Sequence, residues 1–151
     1  MNESCMDEIV RRITGSEKLT TIFGKWPSFH DAEVISLKLE RWRSKNSPQP
    51  SLTLVLHTWK LTSEVDAQGY LVLKNSTRVT LSFTEIDEVE LAGFNQQNAI
   101  FGLQLEWKSQ GTNSSDVFLV TLNPAFGLSG QFECKGIEVI AATPFPLESD
   151  E

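Results

Sequence analysis

The apolar periodicity of this chain changes at Ala32, and that change limits what it can fold into. Ahead of it, Met6, Ile9, Val10 and Ile13 recur at i, i+3, i+4 and i+7, one face of a helix. Beyond it the repeat is two. Ile35, Leu37 and Leu39 alternate with Ser36, Lys38 and Glu40, the pattern of a half-buried strand. Leu52, Leu54 and Leu56 share one face of the next run, while Val55, His57 and Trp59 share the other, so this strand should be central. Val79, Leu81 and Phe83 alternate in turn, as do the runs from Ile100 to Trp107 and from Val117 to Leu122. Strand follows strand without an intervening helix, which favours antiparallel over parallel pairing. The expected fold is α+β, mostly β: one N-terminal helix or two short ones packed on an antiparallel sheet or sandwich of about six to eight strands.

The boundaries follow from caps and breakers. Ser4 can cap the first helix, with Asp7 and Glu8 at its positive end and Arg11 and Arg12 at the other. Gly15 supplies a left-handed stop, and Ser16 can cap a second helix through Leu19, Ile22 and Phe23 to Gly24. Turn chemistry marks 44–51, a loop or loose hairpin connection at 63–70 around Gly69, 93–98 and 108–116. Phe132 and Cys134 are offset by one from Ile137 and Val139, so Lys135-Gly136 should be a bulge or tight bend. One domain, 1–147, is expected, with a helical N-terminus at 4–24, an antiparallel β region at 30–143 and an acidic tail at 148–151.

At 151 residues such a domain buries about two-thirds of its unfolded surface, enough for a core without staples. The apolar runs are far shorter than the roughly 20 residues that span a bilayer. MNESCMDEIVRR places acids and arginines where a secretory signal needs an apolar block, so a cytoplasmic protein is expected. Cys5 and Cys134 then read as free thiols, the second buried. Asn75-Ser76-Thr77 and Asn113-Ser114-Ser115 read as turn residues rather than glycosylation sites. A net charge of -7 disfavours nucleic acid and anionic membranes as ligands and suits a basic protein partner.

The chemistry-bearing residues concentrate in Trp26-Pro27-Ser28-Phe29-His30-Asp31-Ala32-Glu33-Val34. Alternation would place Asp31 and Glu33 on the core side with Ile35, and His30 opposite. With His57 the set could form an acid–base pair or metal site, but two distant histidines lack a diagnostic ligand spacing. The structural alternative has Asp31 bonding the turn after Pro27 and Glu33 pairing with Arg41 or the sheet edge. No nucleophile motif or phosphate-cradling loop supports catalysis, and no cofactor is expected. Two features suit a protein interface instead: Trp42 at a strand end, and Glu85, Asp87, Glu88 and Glu90 interleaved with Ile86, Val89 and Leu91 as a strand with an anionic outer face. Trp26 should pack the helix–strand junction, and Trp59 and Trp107 should be buried.

WPSFHDAEV at 26–34, leading into the alternation of Ile35, Leu37 and Leu39, resembles the immunity protein 50 family of bacterial polymorphic toxin systems. GFNQQN at 93–98 and FECKGIEV at 132–139 extend the likeness over 20–142. The resemblance implies a small, mostly β, non-enzymatic protein that binds and neutralises a toxin made beside it. It marks Trp26, Pro27, Phe29, His30, Asp31 and Glu33 as motif residues without giving them a role. An acidic chain suits a basic toxin such as a nuclease, met by Glu85, Asp87, Glu88, Glu90 and Trp42. The alternatives are a small-molecule-binding module with a pocket lined by Trp59 and Phe83, and a hydrolase or metalloenzyme centred on His30, Asp31 and Glu33. Exposed sheet edges could also pair two copies.

Overall fold

The computed structural model describes residues 3–41, 48–108 and 116–145, with side chains undescribed at 3–5, 61–63 and 71–74. The helical stripe forms as the spacing predicts. α1 (Glu3–Arg11) and α2 (Glu17–Phe23) and the turn between them bury Ile9, Ile13, Leu19 and Phe23. α2 closes on Gly24 in the left-handed region at φ 82°, its N–H bonding Thr20 O. Ser16 precedes α2 but makes no side-chain cap hydrogen bond, contrary to expectation. No helix among the described residues is long and apolar enough to cross a membrane.

Eight strands follow: β1 (Glu33–Glu40), β2 (Ser51–Val65), β3 (Leu71–Thr84), β4 (Asp87–Ala92), β5 (Ile100–Lys108), β6 (Val117–Pro124), β7 (Ser129–Cys134) and β8 (Gly136–Pro144). They form two antiparallel sheets, ordered β1-β2-β3-β8 and β4-β7-β6-β5. The inward rows are those that alternate in the sequence. Leu52, Leu54, Leu56, Val79, Leu81, Phe83 and Val139 of the first sheet are buried, as are Leu105, Val120, Leu122, Phe132 and Cys134 of the second. Phe83 and Phe132 meet edge-on, ring centroids 5.0 Å apart, tying one inner face to the other. Burial pushes the Cys134 thiol up to about 12, so it is an inert core group.

Three joints hold the two sheets in place. At the first, the β3–β4 and β7–β8 crossings run side by side, with Lys135 N–H bonding Thr84 O at 3.0 Å. The bend expected at Lys135-Gly136 is this corner. At the second, Asp31 N–H reaches Ile100 O, Ile100 N–H reaches Ala32 O, and Val34 N–H reaches Asn98 O, all within 3.0 Å. This links the start of β1 to the start of β5. At the third, Thr14 bridges Ile137 and Val139 along the outer edge of β8. A Cβ at Gly15 would run into the Val139 carbonyl, so the helical unit lies this close only because that residue is glycine.

Several local expectations change. The alternation of β1 is broken by a bulge: Val34 faces Leu56 and Ser36 faces Val55, leaving Ile35 outside the register and exposed. Leu37 and Leu39 return to the side of Leu54 and Leu52, but Leu39 lies at the sheet margin and stays half exposed. Ser51, assigned to a turn, is a buried strand residue. Asn75 is likewise within β3, in the left-handed region at φ 58°. The 63–70 connection is shorter than predicted, because β2 runs to Val65 and only 66–70 turn. β2 and β3 therefore outrun their neighbours. β1 pairs β2 no further than His57, and β8 pairs β3 no further than Thr77. Beyond Phe145 N–H, which bonds Ser76 O at 3.0 Å, no other described strand pairs with this hairpin.

Candidate partner-binding surfaces

β4 is an edge strand, paired only with β7. Its apolar residues are spaced 86, 89 and 91, which strict alternation cannot place on one face. The chain resolves this with a bulge. Asp87 opposes Glu133 and Glu90 opposes Gln131, with Glu88 between them at φ 54° and its N–H bonded to Asp87 Oδ1 at 2.9 Å. Ile86 and Leu91 pack against the core, and Val89 turns outward. Glu85, at φ 52°, makes the preceding corner. All four acids, Glu85, Asp87, Glu88 and Glu90, are exposed, and among the described residues no cation pairs with them. Lys108, on β5, lies 3.7 Å from Glu133 of β7. The expected anionic outer surface is therefore present, spread along a bulged edge rather than on one face of a regular strand.

The His30 segment is organised differently from expectation. Phe29 and Asp31 both occupy the left-handed region, at φ 62° and 65°, a costly conformation for residues with a Cβ. This turn drives Phe29 into the core, where Trp26 meets it edge-on at 5.8 Å. Trp26 is half-buried at the junction, as expected. His30 and Asp31 are left outside, their side chains 3.6 Å apart and each 59% exposed. His30 N–H bonds Ser28 Oγ, its Nδ1 lies 2.9 Å from Phe101 O, and its ring stacks on that of Phe101. Asp31 does not point into the core. Glu33 does not either: it stands across the outer face of the first sheet from His57. The set is thus split between an exposed turn and a sheet face. Among the described residues no three His, Cys, Asp or Glu side chains come together as a metal site.

His57 packs into the outer face of the first sheet. Its Nε2 lies 2.6 Å from Ser76 Oγ, and its ring stacks on Phe145 with centroids 3.8 Å apart. Trp59 adjoins it edge-on, half-buried on this outer face rather than in the core. Burial pushes the His57 pKa down; Glu33 opposes that, and Arg78 adds to it. Phe83, by contrast, is fully buried on the inner face. Trp59 and Phe83 therefore share no pocket. Trp107 is half-buried too, between Phe118 and the Arg12 guanidinium. Trp42 lies outside the described residues.

An open groove of about 860 Å³ runs between α1, residues 24–28 and the start of β5. Met6, Val10, Trp26 and Phe101 line it, with Lys25 and Asp7 among its polar groups. Sequence reasoning missed this groove, and it missed the exposed aromatics Phe94, Phe101 and Phe126. It also missed Asn98, read only as turn material. Asn98 is 3% exposed; its Oδ1 accepts from Asn95 N–H and Leu128 N–H, and its Nδ2 donates to Asn95 O. An asparagine directly before a strand was the available signal, since its side chain can bond backbone on both sides of a loop.

The three stretches that carry the sequence resemblance thus lie at structural positions. Residues 26–34 form the β1–β5 joint, 93–98 the loop pinned by Asn98, and 132–139 the β7–β8 corner. They specify how the sheets meet. No curated protein and no solved structure matches the chain. The sequence model of the family described as Immunity protein 50 matches residues 15–145, and so takes in every described strand and the first two joints. The chain belongs to the immunity protein 50 family.

Proposed function

We propose that the chain is a non-enzymatic inhibitor that binds a toxin encoded beside it and blocks that toxin through a basic surface. Family membership supports the inhibitor, and the β4 edge supports the kind of partner. The observation that carries the second point is the run Glu85, Asp87, Glu88 and Glu90, exposed and, among the described residues, without a paired cation. Like charges so arranged repel one another in the free protein, and cationic groups of a partner relieve that repulsion on binding. The bulge also keeps the strand from templating edge-to-edge association, leaving side-chain charge as its means of contact.

The test is growth of cells making the neighbouring toxin, with direct binding measured on an inactivated form of that toxin. Wild type should restore growth. A variant with all four acids changed to lysine should fold, fail to protect, and bind at least about a hundredfold more weakly. A wild type that neither binds nor protects would sink the inhibitor reading. A lysine variant that still protects would move the interface away from β4.

A further inference from the structure

We propose that Phe94 and Phe126 are the apolar anchors of the toxin interface, received by an apolar recess on the toxin that cations border. The inference rests on the reading of the chain as a toxin inhibitor, and it adds where the short-range contact is made. Two loops meet at the end of the second sheet, where β4 finishes and β7 begins with Ala92 opposite Ser129. Gly93 and Gly127 touch there, since a Cβ on Gly93 would strike the Gly127 carbonyl. Both glycines are left-handed, at φ 81° and 75°, so the loops approach this closely only without side chains. Phe94 and Phe126 flank the contact, each one step of about 3.8 Å along the chain from its glycine. Their Cα atoms therefore lie within about 14 Å of one another. The two side chains are 55% and 59% exposed.

The loops beneath them are firmly fixed. Ala125 N–H and Phe126 N–H both bond Ala99 O at 3.0 Å. Asn98 Oδ1 accepts from Asn95 N–H in one loop and from Leu128 N–H in the other. Asn95 Oδ1 in turn accepts from Gln97 N–H at 2.8 Å. The core closes below on Ile100 and Leu128, both buried, so the fold does not call either ring inward. An apolar side chain exposed singly is ordinary, but two aromatics on abutting, pinned loops present a patch. A ring on a rigid base offers a large apolar area and loses little conformational freedom on docking.

Charge argues for the occupant. From Leu91 to Leu105 and from Val117 to Phe132 the sequence holds no charged residue, so both loops are neutral. The charges that border them along β4 are acidic: Glu90 stands four residues before Phe94 and opposes Gln131. A charge-depleted aromatic centre beside a charged margin matches the anatomy of a protein interface, with its desolvated middle and wet rim. The acidic margin suits a partner whose own rim is cationic. Two copies of this chain meeting here would bring their acidic edges together, so charge disfavours a second copy as the occupant.

The rates at which the full chain binds and leaves an inactivated form of the neighbouring toxin test this. Phe94→Ala with Phe126→Ala trims exposed side chains only, so the thermal midpoint should match wild type. Toxin binding should weaken at least about a hundredfold through faster dissociation, with the association rate and its salt dependence unchanged. Phe94→Leu with Phe126→Leu keeps apolar bulk at both positions and should bind between the alanine pair and wild type. If the alanine pair binds like wild type while the variant with four lysines on β4 does not, the anchors are refuted and the acidic contact stands. If the alanine pair fails and the four-lysine variant binds like wild type, the acidic contact is refuted and the anchors stand. A wild type that does not bind the toxin overturns both. A wild-type dimer that the alanine pair dissociates, with toxin binding unchanged, gives the aromatics to a second copy and overturns the proposal.

Discussion

His57 shows how a single residue couples the outer face of the first sheet to pH. Its ring is held between Phe145 and Ser76, and burial makes the protonated form costlier in the folded chain than in the unfolded one. The unfolded state therefore binds more protons in the window from the ordinary value of 6.5 down to the lowered folded pKa. Stability from this site is fully present above that window and is lost as pH falls through it. Urea midpoints taken from pH 7.5 down to about pH 5 should drop more for wild type than for His57→Gln, which cannot titrate. Equal slopes would show that the site is not felt globally. Asn98 is the residue whose loss should be felt most. Asn98→Ala leaves two backbone N–H groups and a carbonyl without their partner in a nearly closed site, so it should cost about 2–4 kcal/mol in chemical denaturation. Neither role follows from residue type alone. The His57 environment needs Phe145 brought in from 88 residues away, and that depends on the pairing of β3 with β8.

At the scale of elements, period was legible and pairing was not. The inward rows of β2, β3, β5 and β6 can be read directly, because a strand with one buried face must alternate. Bulges defeat that reading. One extra residue at Ile35 and another at Glu88 reverse the facing of what precedes them, which is why Glu33 was assigned inward and Val89 was taken for part of a regular strand. The spacing 86, 89, 91 held that information. The β1 bulge had no such signature, since Ile35 is as apolar as the residues that are buried. The lone extension of β2 and β3 was equally hidden, because it is defined by where other strands end. The β4 edge offers a test at this scale. Gly130 opposes Leu91, and a Cβ there would strike the Glu90 carbonyl and the Leu91 side chain. Gly130→Ala should displace β4 from β7 at a cost of about 1–3 kcal/mol, read as a lower thermal midpoint. If the acidic edge binds the toxin, the same change should weaken toxin binding without altering a single charge.

For the whole molecule, composition bears on encounter rather than on fold. The net charge of -7 sets up a field that would draw in a partner of the basic kind proposed above before any contact forms. Between ionic strengths of about 0.01 and 0.15 M the screening length falls from roughly 30 to roughly 8 Å, less than the breadth of a domain of this size. The association rate with the neighbouring toxin should therefore fall at least about tenfold across that range, while the dissociation rate should change far less. Stopped-flow mixing with an inactivated toxin measures the first rate and displacement measures the second. Two charge variants then separate field from contact. Changing Asp7, Glu17 and Glu40 to lysine reduces the overall charge from outside β4, so it should slow association and leave dissociation nearly unchanged. Changing Glu85, Asp87, Glu88 and Glu90 to lysine alters both the field and the proposed contact, so it should slow association and speed dissociation. If the two variants differ only in proportion to the charge removed, β4 supplies steering alone and the short-range interface lies elsewhere on the sandwich.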